Sequence, residues 1–292
     1  MSFGQAIAMG IVQGLTEFLP VSSSGHLAIL KNILNVDTDT GILFDVLLHV
    51  ATLIAVFLVF YKDIIKLLSE FVKIAADSFS NTGRFFSNLF AKDDKKPYKK
   101  LGSTSYRRFV IMIIISTIPT AVIGVLLKNV VEGVSGNLLV TGICLLGTGG
   151  ILLLSDFVEE RHKKPKDASY ADAAAVGTAQ GIATLPGLSR SGCTIVAGLL
   201  CGFDRKFAVK YSFIMSMPAI LGALILELKD IESGLSGAEI GAYIVGMIFA
   251  LVVGYVALVL TVRLVMSKYF KFFSYYCFAV GAISLVVFIA AL

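Results

Sequence analysis

The chain has 292 residues, of which 57% are hydrophobic and only 15% charged, with a mean hydropathy of +0.86 and a net charge of +5. A soluble domain carries about 25% charged residues, so this composition excludes an ordinary globular protein and points to a polytopic membrane protein. The same low charge density argues against nucleic-acid binding, which needs a basic groove.

The first apolar stretch, about 5–30, is long enough to cross a bilayer but is interrupted by Pro20, Ser22, Ser23, Ser24 and Gly25. It has no basic leader and no small-residue cleavage site after it, so a removed signal peptide is not expected. Three uninterrupted spans follow at about 43–61, 108–127 and 137–155, each near the roughly 20 residues a membrane helix needs. The segment 62–107, with Asp93, Asp94, Lys95 and Lys96, reads as an amphipathic or partly disordered connection touching anionic headgroups. A second broken stretch, about 172–202, carries Pro186, Gly187 and Gly192, and three more spans close the chain at about 211–227, 239–262 and 272–291. Cys144, Cys193, Cys201 and Cys277 all fall in apolar stretches without metal-ligand spacing and read as small buried hydrophobes.

Basic residues set the orientation. Segment 62–108 holds eleven of the 25 Lys and Arg, 156–171 four, 203–210 three and 263–271 three, whereas the connections 31–42, 128–136 and 228–238 hold only Lys31, Lys128 and Lys229. The basic connections therefore belong on the cytoplasmic side. Stretch 172–202 has basic connections at both ends, so it must enter and leave from that side as a re-entrant segment. Stretch 5–30 is then expected to be re-entrant from the opposite side, with both termini outside.

An offset of 167 residues aligns the two broken stretches without a gap, pairing Ala6, Ala8, Gly10, Gln13, Gly14, Ser22, Ser24 and Gly25 with Ala173, Ala175, Gly177, Gln180, Gly181, Ser189, Ser191 and Gly192. Each copy precedes three spans, an odd number, so the second copy lies upside down relative to the first. The expected fold is all-α: six transmembrane helices plus two re-entrant helix-loop-helix segments, with an inverted-topology repeat of residues 1–155 and 172–292. Such folds place their site near the midplane on broken helices. Serines after each proline break are N-caps for new half-helices, whose positive ends form an anion site.

Glu17, Ser22, Ser23, Ser24 and His26 at one tip, and Ser189, Arg190, Ser191 and Thr194 at the other, concentrate polar groups that are costly inside a membrane. A single Glu17–Arg190 structural pair would not require the neighbouring histidine and hydroxyls. Arg190 suits phosphate oxygens, and Ser22, Ser24, Ser189, Ser191 and Thr194 complete an oxyanion cradle. Ser23 or a water is the nucleophile, with His26 and Glu17 as acid and base. Gln13, one turn before Glu17, also allows a divalent cation to bridge Glu17, Gln13 and phosphate. Asp45 and His49, four apart in a span, could line the cavity but read as helix–helix hydrogen-bonding groups; His162 reads as solvated. A transporter or flippase for an anionic lipid is the alternative; it needs the anion site but not an acid–base set.

The motifs QGLTEFLPVSSSGH over Gln13–His26 and PGLSRSGCT over Pro186–Thr194, with FDVLLH over Phe44–His49, resemble the undecaprenyl pyrophosphate phosphatase, or bacitracin-resistance, family across nearly the whole chain. The resemblance implies hydrolysis of undecaprenyl pyrophosphate to the monophosphate carrier and inorganic phosphate, in the bacterial plasma membrane with the site open to the outer face. It implies catalytic roles for Glu17, Ser23, His26 and Arg190, and dependence on Mg2+ or Ca2+. Gln13 stands where many members carry Glu, which predicts weaker cation binding here.

Overall fold

The computed structural model describes residues 1–36, 38–91, 95–159, 161–227, 237–266 and 270–290, with backbone alone at 38–42, 226, 227 and 266. Lys229 and the Asp93–Asp94 pair lie outside the described residues. A capping box opens α1 (Phe3–Phe18): Gln5 N–H donates to Ser2 Oγ at 3.2 Å and Ser2 N–H to Gln5 Oε1 at 2.8 Å. Helix α1 stops one residue before the Leu19-Pro20 step, and α2 (Ser23–Leu34) starts three residues after it. Then come α3 (Thr38–Phe90), α4 (Ser105–Val134), α5 (Leu138–Leu154) and a 3-10 turn at Ser155–Phe157. The second half repeats the pattern with α6 (Tyr170–Ile182), α7 (Arg190–Leu200), α8 (Arg205–Glu227), α9 (Gly237–Met266) and α10 (Phe270–Ala290). The box that opens α6 is Ser169 with Asp172, each 167 residues beyond its counterpart in α1.

The chain is an all-helical, multi-pass membrane protein. Among the described residues six helical segments are long and apolar enough to cross a bilayer: Leu43–Phe90, Ser105–Val134, Leu138–Phe157, Arg205–Ile225, Gly237–Val265 and Phe270–Ala290. Each coincides with one of the six predicted spans over most of that span's length. Large apolar side chains such as Leu126, Val252 and Val286 stand exposed on their outer faces, where a soluble protein would carry charge. Two boundaries differ from expectation. The basic stretch 203–210 is not a loop: the turn is short and α8 already begins at Arg205, because Asp204 caps it by accepting from Phe207 N–H at 2.7 Å. The first span does not end near residue 61 either; its helix is interrupted at Phe60 (φ −110°, ψ 19°) and then continues to Phe90. The extension is amphipathic, with Ile65, Val72, Phe79 and Phe86 exposed seven residues apart. Asn81 and Asn88 bind the returning backbone at Lys99 and Lys96.

Packing follows the two broken stretches. Helix α1 lies along α9, and α6 lies along α4. Gly10 approaches the Gly246 carbonyl so closely that no Cβ fits between them, and Gly177 does the same at Ser116. One turn later a Cβ at Gly14 would lie 3.0 Å from Val253 Cβ, and one at Gly181 would lie 2.7 Å from Ile123 Cβ. Polar side chains reinforce the α4–α6 seam: Ser116 Oγ donates to the Ala173 carbonyl at 2.7 Å, and Thr120 Oγ1 to that of Gly177 at 2.8 Å. Together these contacts fix both helix-turn-helix tips between the long spans. All four cysteines are free; Cys193 and Cys277 are buried, whereas Cys144 and Cys201 are half-buried, so the expectation of burial holds fully for only two.

Candidate active site

The two tips share one local plan. Ser22 caps α2 by accepting from Gly25 N–H at 3.2 Å, and Ser189 caps α7 by accepting from Gly192 N–H at 3.1 Å. In each, the capping hydroxyl lies 3.3 Å from a second serine hydroxyl, Ser24 or Ser191. Ser22 holds a positive φ of 70°, uncommon for a residue with a side chain and concentrated at functional sites. The tips touch: Gly187 N–H donates to Ser24 Oγ at 3.4 Å.

Glu17 is the centre of the site, with its side chain only 6% exposed. Its Oε2 accepts from Ser23 Oγ at 2.6 Å and from Gln13 Nε2 at 3.0 Å, while Oε1 accepts from Arg190. Three donors thus compensate a carboxylate that would otherwise be expensive to bury. The Ser23 contact is in the range of a charge-assisted O–H···O⁻ bond. Gln13 Oε1 is left buried with no hydrogen-bond partner. The space beside the Glu17–Arg190 pair, walled by Phe18, Thr52, Ser212 and Ser216, is about 10 Å3, the scale of one water.

His26 lies on the other side of the Ser22 backbone. Its Nδ1 is 2.7 Å from the Ser22 carbonyl, which can only accept, so Nδ1 carries the proton. That leaves Nε2 to accept from Tyr276 Oη at 2.8 Å, with the two rings stacked at 5.5 Å. The structure therefore brings Gln13, Glu17, Ser23 and Arg190 into direct contact and gives His26 different partners. Thr194 Oγ1 donates to the Arg190 carbonyl at 2.8 Å and shares a 2.5 Å hydrogen bond with Ser212, so it supports the tip that presents the guanidinium. Among the described residues no group of three His, Cys, Asp or Glu is placed to hold a metal.

Two neighbours fall outside the predicted set. His49, read from sequence as a structural group, points Nε2 at Glu17 Oε2 from 3.6 Å, with Nδ1 donating to the Asp45 carbonyl at 2.8 Å. Its signal was present, since a histidine inside an apolar span is costly. Asp45 itself pairs with Lys31 at 2.5 Å. Tyr276 left no comparable signal, because tyrosine is common at membrane interfaces.

Comparison with known proteins shows the family to which the chain belongs. The chain is 41% identical over 284 residues to an undecaprenyl-diphosphatase of Methanobrevibacter smithii, covering 97% of this chain and 96% of that one. It is 40% identical over 288 residues to the undecaprenyl-diphosphatase of Desulforapulum autotrophicum, covering 98% of each. For that of Methanosphaera stadtmanae the identity is 37% over 281 residues, covering 96% of each. Residues 6–283 match the family described as bacitracin resistance protein BacA, and on that extent of similarity the chain belongs to the BacA family.

Proposed function

We infer that the protein is an intramembrane undecaprenyl-diphosphatase, releasing inorganic phosphate and leaving the lipid monophosphate carrier used in cell-wall synthesis. The observation that carries the chemistry is the contact of Ser23 Oγ with Glu17 Oε2 at 2.6 Å, beside the Arg190 guanidinium. An acyclic hydroxyl held by a buried carboxylate is an activated nucleophile in waiting. In this reading the incoming diphosphate displaces Glu17 from Arg190, and the guanidinium turns from carboxylate to phosphate oxygens. Glu17, released from its cation, becomes the stronger base and takes the proton of Ser23, or of a water in the same place. Attack on the terminal phosphorus forms a P–O bond to the nucleophile and breaks the bond to the bridging oxygen, so the lipid monophosphate leaves. If Ser23 attacks, water then hydrolyses the phosphoserine. His26, whose unprotonated Nε2 accepts from Tyr276 Oη, is placed to take up a proton on the other side of the cradle formed by Ser22, Ser24, Ser189 and Ser191.

The family resemblance implies a divalent cation, Mg2+ or Ca2+. Gln13 Oε1, buried and without a partner, and Glu17 are the residues that would hold it, with phosphate oxygens supplying the other ligands. Bound there, it would offset the charge of the diphosphate. For topology we adopt the plasma membrane with the basic connections in the cytoplasm and the site reached from the outer side. The α1–α2 and α6–α7 pairs are then re-entrant halves of an inverted repeat. The matched capping boxes and the matched close approaches at Gly10 and Gly177 support that repeat. The amphipathic extension of α3 would lie along the cytoplasmic headgroups.

The test is direct. Purified protein in detergent, given undecaprenyl diphosphate, is expected to release phosphate, and Glu17→Gln, Ser23→Ala and His26→Ala are each expected to lower release by about a hundredfold or more. Wild-type release from Glu17→Gln would remove the base from this scheme.

A further inference from the structure

A second cavity, of about 410 Å3, lies far from the tips, between Val158, Glu159, Arg161, His162 and Lys164 on one side and the turn joining α7 to α8 on the other. It sits at the opposite end of α7 from Arg190: Leu199, which lines it, is nine residues further along the helix, or about 14 Å at 1.5 Å per residue. Its walls are built rather than incidental. Lys163 N–H donates to the Gly202 carbonyl at 3.1 Å and Asp204 N–H to the Lys163 carbonyl at 3.0 Å, tying the two segments together. Gly202 takes a φ of +90°, which favours glycine at this corner. The floor is apolar: Leu199 and Phe203 are buried, and Phe203 packs on Phe207 and Tyr211.

The rim is basic. Arg161, His162, Lys164 and Lys206 are exposed around it, against the carboxylates of Glu159 and Asp204. Asp204 is engaged in capping α8. Other cations nearby have carboxylate partners: Lys163 with Asp172, Lys210 with Asp63, and Arg107 with Glu70 and Asp77. Among the described residues Arg161, Lys164 and Lys206 have none. Cations gathered on one rim without carboxylate partners, over an aromatic floor, suit an anion that carries an apolar body. The cavity also opens where the membrane-facing surface begins. Phe157 and Leu200, each adjacent in sequence to a lining residue, are exposed large hydrophobics.

We propose that this cavity binds the phosphate head of an anionic lipid from the leaflet on the side of the basic connections. Arg161, Lys164 and Lys206 hold the phosphate oxygens, and Leu199 and Phe203 receive the first carbons behind it. The lipid phosphate has two sources, bulk phospholipid or the polyprenyl monophosphate released by the reaction, and both present the same chemistry to the rim. The site is separate from the Glu17–Arg190 centre and does not depend on how that centre works.

Native mass spectrometry of the purified full chain in detergent tests this. Phosphatidylglycerol is expected to bind at least tenfold more tightly than phosphatidylcholine. At about fivefold per cation removed, the Arg161→Ala/Lys164→Ala/Lys206→Ala variant is expected to lose about a hundredfold in phosphatidylglycerol affinity. Its hydrolysis of undecaprenyl diphosphate in detergent should stay within about twofold of wild type. Arg161→Gln and Lys206→Gln, single changes on exposed side chains, are expected to lose about fivefold each and carry the test if the triple variant fails to fold. Arg161→Lys with Lys206→Arg should keep the affinity. Competition separates the sources: displacement of phosphatidylglycerol by equimolar undecaprenyl phosphate assigns the site to the reaction product, and failure to displace it assigns the site to bulk phospholipid. Equal binding of phosphatidylcholine, wild-type binding by the single and triple variants, or binding of inorganic phosphate alone would overturn the proposal.

Discussion

In the proposed mechanism Arg190 has two tasks that ordinary alanine replacement confounds. It compensates Glu17, and removing one partner of a buried pair leaves an uncompensated charge costing about 3–5 kcal/mol, so Arg190→Ala is expected to lose stability as well as turnover. Arg190→Lys keeps the charge beside Glu17 but loses the planar fork that grips two phosphate oxygens. We expect it to retain the wild-type melting temperature in detergent within a few degrees and still lose about a hundredfold in kcat; near-normal kcat would mean that a point charge suffices. Gln13 offers a test of the cation. Gln13→Glu adds a carboxylate one turn before Glu17 and should lower the Mg2+ concentration for half-maximal phosphate release severalfold, measured after chelator treatment and readdition. An unchanged Mg2+ dependence would remove Gln13 from the cation site. The residues in these tests were legible in the sequence because membrane interiors make polar groups expensive, so Glu17, Arg190 and the serines stood out against apolar surroundings. What was not legible was the division among them. Sequence grouped His26 with Ser23 and Glu17, yet the backbone at Ser22 turns the imidazole towards Tyr276, a residue 250 positions away.

Helices position these groups only if α6 stays seated on α4. At Gly177 any Cβ would collide with the Ser116 backbone, not with a flexible side chain that could yield. Gly177→Ala must therefore push α6 off α4, and α6 leads directly into the turn that presents Arg190. Overpacking of this kind costs about 1–3 kcal/mol, so we expect a melting temperature lowered by several degrees in detergent and a reduced kcat. Gly150→Ala is the control, since a Cβ there meets nothing within 4 Å; equal effects of the two would show that helix propensity and not close approach governs this seam. Such contacts explain what patterning could and could not reveal. Spans were found by length and hydropathy, and the proline breaks at Pro20 and Pro186 located both turns. The start of α8 was missed because its first residues are basic, and hydropathy reports where a helix is apolar and not where it begins. The segment past Phe60 reads from sequence as amphipathic or partly disordered, but its continuity with the first span was missed for the same reason, since its charges end the apolar run.

For the whole molecule, the decisive issue is which side of the membrane each connection faces. The proposed orientation rests on charge sorting: 21 of the 25 Lys and Arg fall in four connections, three fall in the other three, and only Arg190 lies within an apolar stretch. Helix α5 turns this into an experiment, because it is a single span with short flanks on both sides. Ser135, exposed before its start, and Lys166, exposed beyond its end, should face opposite solutions. On a background with Cys144, Cys193, Cys201 and Cys277 replaced by serine or alanine, Ser135→Cys in intact cells should react with an impermeant maleimide. Lys166→Cys should react only after permeabilisation. Reversed labelling would place the basic connections outside and send the Glu17–Arg190 site to the cytoplasmic side, leaving the phosphatase chemistry intact but changing which pool of lipid it serves. Labelling of both positions in intact cells would deny that α5 crosses, and with it the odd number of crossings that makes the second broken stretch an inverted copy of the first. In the proposed inverted arrangement two short helix pairs, entering from opposite faces, bring their capped N-termini together at one depth, and the Gly187–Ser24 and Glu17–Arg190 contacts fit such a meeting.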